Sequence, residues 1–241
     1  QGKLVAQDPS DEPAFNLIDN IKKERECRIT KRASKQNKFI RGDIQDEEVP
    51  FELPSSWEWC RFGTLVDFRS ELVQPNEFLD LEQIAPDSIE KGTGKLLIRR
   101  SVKESGIKGP NNRFYKGQIL YSKIRPSLSK AVIAPCNGLC SADMYPLEAM
   151  IDKHFLLKVI LSEVFLEQVR ILENRIKMPK LNVDSLSNIL VAVPPANEQH
   201  RIVTKVDELM ALCDQLETNI RAKSDTAASY AQAIVQQIAA A

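Results

Sequence analysis

One stretch decides the architecture of this chain: Val193-Pro194-Pro195-Ala196-Asn197-Glu198-Gln199-His200-Arg201-Ile202-Val203. The apolar run 189–193 has the pattern of a strand, and two prolines end it because proline cannot continue a sheet ladder. From Asn197 to the C-terminus there is no Gly or Pro, and apolar residues keep a heptad rhythm. A 3.5-residue repeat held this long predicts a helical rod of about 60 Å whose apolar seam needs a partner helix.

The seam consists of two series of positions seven residues apart. Polar residues interrupt the second series at Lys223 and Gln237. We predict that the seam packs against another helix and consists of Ile202, Val206, Leu209, Cys213, Leu216, Ile220, Ala227, Tyr230 and Ile234.

Residues 51–193, upstream of the long helix, have the pattern of a globular domain. Short β-like runs are predicted at 96–99, 118–124, 130–134 and 189–193, and one clear helix at 153–174. Many short strands with few helices predict an α+β fold with a bent, mostly antiparallel or mixed sheet, plus the long C-terminal coiled-coil helix. The predicted division of the chain is 1–50, a short helix and linker; 51–193, the globular domain; and 194–241, the long helix.

The first region is polar and partly helical. Asp11 has the position of an N-cap, and Phe15, Ile18 and Ile21 follow at helical spacing. After Ile21 the apolar pattern stops, and the range 22–41 holds nine Lys and Arg against two Glu. Two interpretations stay open for this range: a solvated helix that frays into a linker, or a basic strap near a phosphate backbone.

The charge of the chain is separated along its length. The total is neutral, with 33 Lys and Arg against 33 Asp and Glu. The range 95–130 nevertheless holds ten Lys and Arg and only one acidic residue, Glu104, whereas acidic residues concentrate at 43–52 and 71–90. Because binding to a polyanion responds to local charge, this range predicts an anionic partner, without separating DNA from RNA.

The most suggestive stretch in this range is Tyr121-Ser122-Lys123-Ile124-Arg125-Pro126-Ser127-Leu128-Ser129-Lys130. It predicts a strand, a proline turn and a return strand, with cations and hydroxyls crowded at the turn. Arg suits guanine O6 and N7, whereas Lys and Ser suit phosphates. A basic loop at 174–182 is the second candidate, and ordinary solvated loops are the alternative for both. The residues predicted to bind the anionic partner are Lys95, Arg99, Arg100, Lys108, Arg113, Lys123, Arg125, Lys130, Arg175, Lys177, Lys180 and Asn182.

The sequence offers no convincing catalytic constellation. The pair Pro194-Pro195 lacks the acidic or amide residue before it and the aromatic after it that an amino-methyltransferase needs. Gly92-Thr93-Gly94 has the pattern of a hairpin turn and lacks P-loop spacing. His154 and His200 lie on different predicted helices, and the five cysteines predict neither a metal site nor a disulfide framework. With no signal peptide and no apolar stretch of roughly 18 residues, the cytoplasm is the expected compartment.

The opening stretch, continued through Lys205-Val206-Asp207-Glu208-Leu209-Met210, resembles the conserved helix of type I restriction–modification specificity subunits. In that family, Pro-Pro-x-x-Glu-Gln closes a target recognition domain and opens a spacer helix. Three further stretches are similar to the family: 1–9, 53–59 and 121–126. The resemblance covers nearly the whole chain, and the helix-opening motif is much more specific than the basic loops.

The resemblance implies a non-catalytic subunit with two target recognition domains, each reading one half of a split double-stranded DNA site. It also implies methyltransferase (modification) subunits that use S-adenosylmethionine and, in the full complex, a translocating restriction subunit that uses ATP. No cofactor and no metal are expected in this chain. Its first residues resemble the tail of the other conserved helix, so we expect a C-terminal half that pairs through the seam with the other half or with a second copy.

Two other classes of function compete with this interpretation. A non-catalytic coiled-coil assembly protein with an incidental basic domain would explain the rod, and DNA binding insensitive to charge removal would support it. A stand-alone nuclease or methyltransferase would need an active site that the sequence does not show.

Overall fold

The computed structural model describes residues 2–31, 44–173 and 181–239. The helices in these ranges are α1 Ala14–Lys31, α2 Phe62–Leu65, α3 Val102–Ser105, α4 Lys153–Ile160, α5 Glu163–Glu173, α6 Val183–Ser187 and α7 Ala196–Ala239. The strands are β1 Glu58–Arg61, β2 Val66–Phe68, β3 Leu72–Val73, β4 Glu82–Ile84, β5 Arg100–Ser101, β6 Asn111–Phe114, β7 Ile119–Ser122, β8 Ala131–Ile133, β9 Gly138–Cys140, β10 Met144–Ala149 and β11 Leu190–Val193. Short 3-10 turns lie at Asp46–Glu48, Pro75–Glu77, Pro86–Ser88 and Pro126–Leu128.

The strands form three sheets. β1 pairs with β11, so the strand that follows Trp57 lies beside the strand that leads into the two prolines. The second sheet has the order β2-β10-β7-β8 and is antiparallel. The third has the order β3-β6-β9-β4-β5, in which the β4–β9 pair is parallel. The predicted α+β class, with antiparallel and mixed sheets and a long C-terminal helix, is confirmed.

Two predictions of local structure are wrong. The strand predicted at 96–99 is replaced by β5 at Arg100–Ser101, and Leu97 and Ile98 point into solvent and not onto a neighbouring strand. The helix predicted at 153–174 is divided into α4 and α5. The division occurs because the Ser162 hydroxyl accepts a hydrogen bond from the backbone N–H of Phe165 at 3.4 Å and starts a new helix.

Two hydrophobic cores support the sheets. The larger one packs the first and second sheets against α1, α4 and α5, and its Phe62 and Phe165 rings meet edge to face at 5.3 Å. The smaller one lies against the third sheet and includes Ile84 and Phe114. Because Ala14 belongs to the larger core, α1 is part of the globular body. The division into 1–50, 51–193 and 194–241 stays a prediction.

Arg25 anchors α1 to this body. It is 8% exposed, and its guanidinium donates to Gly63 O at 2.7 Å, to Val66 O at 2.5 Å and to Asp67 Oδ1 at 2.8 Å. Of the range 22–41, predicted as a solvated helix that frays or as a basic strap, the part up to Lys31 is helical and continues α1. Residues 32–43, the rest of the predicted strap or linker, lie outside the described ranges.

The helix α7 has 44 residues and follows the buried Pro194 and Pro195. Its first turn closes with a hydrogen bond from Gln199 N to Pro195 O at 3.0 Å. The described side chains beyond residue 206 are exposed, so most of the helix projects from the domain. None of the described helices combines the length and the apolar character that a membrane crossing requires.

Candidate nucleic-acid interface

The turn between β7 and β8, named the basic turn (residues 121–130), is held in one conformation. Arg125 has φ 44° and ψ 54°, and Ser129 has φ 48° and ψ 49°, so two residues other than glycine are left-handed. Such residues cost of order 1–3 kcal/mol each and persist only where the surroundings hold them. Here Pro126 is buried and the Ser129 hydroxyl donates to Ile160 O at 3.2 Å. The side chain of Arg125 is therefore exposed at the tip of a rigid turn.

Lys123 lies at the base of the basic turn. Its Nζ is 5.1 Å from the centroid of the Tyr145 ring. Leu181, just before α6, donates its N–H to Lys123 O at 2.9 Å, and Asn182 caps α6 by accepting from Ser185 N at 2.7 Å. The second candidate loop thus ends beside the first, although Arg175, Lys177 and Lys180 lie outside the described residues.

Two of the predicted arginines are engaged by carboxylates of the same domain. Arg99 binds the carboxylate of Glu82 through Nε at 2.9 Å and through NH2 at 2.7 Å, and this pair holds the pKa of Glu82 below its ordinary value. Arg100 donates to Gln83 Oε1 and to both carboxylate oxygens of Asp87, each at 3.1 Å. The charge of the range 95–130 is therefore larger in the sequence than on the folded surface.

Lys95 is engaged by the long helix. Its Nζ lies 3.4 Å from Asp214, and Lys158 pairs in the same way with Asp207, one heptad earlier, at 2.6 Å. Exposed ion pairs of this kind stabilise by about 0–1 kcal/mol each. Their location indicates that these lysines orient α7 on the domain.

Four other predicted cations keep charges that no carboxylate of the described residues compensates at ion-pair distance: Lys108, Lys123, Arg125 and Lys130. Lys108 is exposed in the loop before β6. Lys130 donates to the backbone carbonyl of Pro86 at 2.6 Å, which leaves its charge in place. Lys123, Arg125 and Lys130 share the basic turn, so the uncompensated charge is concentrated there.

The described residues contain no group of three or more His, Cys, Asp and Glu arranged to hold a metal ion. Cys136 donates to Glu82 Oε2 at 3.0 Å. Burial, followed by this hydrogen bond, raises the pKa of Cys136 to about 11, so its thiol stays protonated at neutral pH. His200 is an exposed residue whose Nδ1 lies 3.6 Å from Asp152, and His154 is also exposed.

The helix-opening motif is buried and fastens α7 to the domain. Glu198 and Gln199 are each 1% exposed. The Glu198 carboxylate accepts from Gln7 Nε2 at 2.6 Å and from Trp57 Nε1 at 3.0 Å, a trio that we name the helix clamp. Gln199 Oε1 accepts from the backbone N–H of Asp152 at 3.2 Å. The sequence shows the motif, but the burial of its glutamate and the identity of the partners appear only in the fold.

Asp11 belongs to the same junction and does not cap α1. Its carboxylate accepts from Asn197 Nδ2 at 3.0 Å and from Arg201 NH2 at 2.6 Å, and α1 begins only at Ala14. Arg201, followed by Asn197, holds the pKa of Asp11 below its ordinary value. The predicted N-cap is wrong because these donors from α7 occupy the carboxylate.

Replacing Glu198 by alanine is expected to lower the free energy of unfolding by about 2 kcal/mol, because two donors, from Gln7 and Trp57, lose their acceptor. Glu198→Gln keeps an acceptor for one of these donors but places its NH2 group against the other, so about half of the loss should persist. Urea unfolding followed by circular dichroism measures the change. Glu208→Ala, which removes an exposed carboxylate from the same helix, is the matched control and should change stability by less than about 0.5 kcal/mol. An alanine variant as stable as the wild type would show that the clamp does not stabilise the junction.

The predicted seam of α7 is open beyond the first turns. Ile202 and Val206 are half-buried where the helix leaves the domain. The side chains of Tyr230 and Ile234 lie outside the described ones. The exposed seam residues are Leu209, Cys213, Leu216, Ile220 and Ala227.

Together these features define a class of protein: a binding domain with a rigid basic turn, carried on a helical arm that presents an open apolar seam. The chain belongs to the family of type I restriction modification DNA specificity domains, whose family model matches residues 84–223. The match covers more than half of the chain and runs from β4 into α7.

Curated relatives agree with this assignment. The type I restriction enzyme EcoDI specificity subunit of Escherichia coli is 40% identical over 177 residues, which cover 73% of this chain and 40% of the relative. The EcoAI specificity subunit of Escherichia coli is 29% identical over 246 residues, which cover 97% of this chain and 41% of the relative. The chain thus spans about two-fifths of the length of these relatives.

Solved structures show the same fold. The HsdS subunit from Thermoanaerobacter tengcongensis matches with a TM-score of 0.61 and 21% identity, over 70% of this chain and 46% of that one. A chain described under the structural basis of complex assembly and conformational transition of the type I R-M system matches with a TM-score of 0.62 and 22% identity, over 73% of this chain and 47% of that one. At these identities the likeness concerns the fold alone.

Proposed function

We propose that this chain reads one half of a bipartite DNA target and docks modification subunits, as part of a type I restriction–modification specificity subunit. The observation that carries the proposal is the family match at 84–223, because it takes in both the basic turn and the start of the open seam. Such a role needs two parts: a domain that recognises DNA and a helical arm through which the chain assembles with other subunits.

The basic turn supplies the contact with double-stranded DNA in this proposal. Its three uncompensated cations would lie against phosphates or base edges. Because the backbone of the basic turn is already fixed in one conformation, little conformational entropy would be lost on binding. The arm would fix the distance between this domain and a second recognition domain, as dimer geometry sets half-site separation in other DNA readers.

The chemistry belongs to other subunits in this proposal. Modification subunits would bind S-adenosylmethionine and methylate the DNA, and a restriction subunit would use ATP. This chain would act in the cytoplasm by recognition alone.

Two measurements test the proposal directly. Light scattering gives the mass of the purified chain, and binding to duplex DNA across a salt series is measured with and without the modification subunits. Salt-sensitive binding that the modification subunits sharpen would support the proposal. A chain that captures neither DNA nor the modification subunits would contradict it.

Replacing Lys123 and Arg125 by alanine is expected to weaken binding to duplex DNA of every sequence. Each phosphate contact that is lost should lower the slope of log affinity against log salt by about 1, so the double variant should lower it by up to about 2. Fluorescence anisotropy at several salt concentrations gives this slope. Lys205→Ala, an exposed lysine on α7, is the control and should leave the slope unchanged. An unchanged slope for the double variant would favour the coiled-coil assembly protein with an incidental basic domain.

A further inference from the structure

Arg113, in the centre of β6, is presented to solvent by the third sheet. Its neighbours Asn112 and Phe114 are 3% and 0% exposed, whereas the Arg113 side chain is 36% exposed. Because successive side chains of a strand point to opposite faces, Arg113 leaves the face that carries Phe114 into the smaller core.

The guanidinium of Arg113 lies over two aromatic rings. Its Cζ lies 5.2 Å from the centroid of Phe78 and 5.2 Å from that of Tyr115. Tyr115 OH donates to Glu71 Oε2 at 3.3 Å, and Arg113 N donates to Glu71 O at 2.8 Å, so Glu71 braces both residues. The nearest contact of the guanidinium with the Glu71 carboxylate is 3.8 Å, too long for a hydrogen bond. The plane of the guanidinium is therefore restricted while its donors are not engaged by Glu71.

This combination distinguishes Arg113 from the other predicted arginines that the structure describes. The donors of Arg99 and Arg100 already bind Glu82, Gln83 and Asp87. Arg125 is exposed at the tip of the basic turn, and no described aromatic ring orients it. Among these described arginines, Arg113 alone has a guanidinium whose plane is restricted and whose N–H donors are still available for a ligand.

We propose that Arg113 is a specificity residue that donates two hydrogen bonds to O6 and N7 of a guanine in the major groove, an inference that rests on the proposed function above. Phe78, Tyr115 and Glu71 are positioning residues for it. A phosphate contact needs only a charge, which a lysine supplies as well. A planar guanidinium positioned by two rings instead matches the planar edge of guanine, where O6 and N7 are two neighbouring acceptors.

The surroundings of Arg113 support a buried contact. Leu72 and Leu79, in the segments next to Glu71 and Phe78, are 61% and 46% exposed and add apolar surface beside these positioning residues. If DNA covers them, water is excluded near the guanidinium and its hydrogen bonds are strengthened. Loss of one bidentate arginine–guanine contact lowers discrimination at that base pair about tenfold to a hundredfold.

The test uses the full chain assembled with its modification subunits, and sequencing of the methylated DNA gives the motif. Arg113→Lys keeps the charge but loses the planar guanidinium. It also serves as a second variant in case Arg113→Ala does not fold. Both variants are expected to relax the motif at one position, a guanine on one strand, and to leave the other positions unchanged. Phe78→Ala should relax the same position to a smaller extent. Lys116→Ala, an exposed lysine three residues away, is the matched control and should keep the wild-type motif.

Several outcomes would overturn the assignment of Arg113. These are an unchanged motif in both variants, a uniform fall in methylation with the motif intact, or a wild-type half-site without a G·C pair. A wild-type complex that neither binds nor methylates DNA would instead contradict the proposed function itself. The two failures are thus distinguishable.

Discussion

Replacing Leu209 and Leu216 together by aspartate is expected to raise the dissociation constant for the partner of α7 by at least about a hundredfold. The two leucines are 42% and 52% exposed in the single chain, so a partner would bury the rest. Losing half of the burial of two leucines removes about 1.5–3 kcal/mol. Burying two carboxylates adds a further penalty, which brings the total to about 3 kcal/mol or more.

The surface around these leucines supports the expectation of a partner. Met210 and Leu212 are 47% and 53% exposed and flank the seam at positions that are often charged in two-stranded coiled coils. The apolar stripe is therefore broader than a single seam, which indicates contact with more than one neighbouring helix.

Light scattering of the chain alone, and co-purification with the modification subunits, measure the effect of the aspartate pair. Gln215→Asp introduces one negative charge, against two in the double variant, on the same helix away from the seam, so it is the control for added charge and should assemble normally. Helix content by circular dichroism should be alike in the two variants. Assembly of the double variant at wild-type affinity would show that the seam is not an interface.

Arg25→Ala is expected to lower the free energy of unfolding by about 3 kcal/mol, and the melting temperature by about 6–12 °C. The guanidinium satisfies two backbone carbonyls and the Asp67 carboxylate from one buried position, and alanine leaves all three without these bonds. Arg25→Lys restores the charge, but a single ammonium cannot reach all three acceptors in the same geometry, so about half of the loss should persist.

Thermal and urea unfolding give both values. Lys23→Ala is the matched control on α1, because Lys23 is 68% exposed and pairs only across the helix surface with Asp19. It should change stability by less than about 0.5 kcal/mol. Equal stability of Arg25→Ala and Lys23→Ala would mean that α1 is not anchored by Arg25.

The long helix is the part of the fold that local pattern predicts well. Its seam residues lie three or four positions apart, and no Gly or Pro interrupts them, so each window of two turns carries the signal. The division of the helix predicted at 153–174 is less visible, because Ser162 also fits a helix interior and acts as a cap only in the folded chain. The strand predicted at 96–99 is wrong because Leu96 makes only an isolated bridge to Ile89, while the apolar side chains of Leu97 and Ile98, which suggested a strand, are exposed.

The candidate site shows the same contrast. The sequence shows how many cations lie at 95–130, but it does not show that Arg99 binds a carboxylate 17 positions earlier or that Lys95 reaches Asp214, 119 positions later. It also does not distinguish Arg113 from its neighbours, because the ring of Phe78 comes from a separate segment. These pairings determine which cations remain available to bind DNA.

By itself, the sequence determined the rod, its seam, the α+β class and the resemblance to specificity subunits, because short-range periodicity and a contiguous motif encode them. The tertiary structure alone decided which polar groups are buried and paired. Glu198 meets Gln7 across 191 positions, and Arg25 meets Asp67 across 42. Such contacts form only when the topology brings distant segments together, and in the low-dielectric interior they then decide whether a charged side chain anchors the fold or remains available to bind DNA.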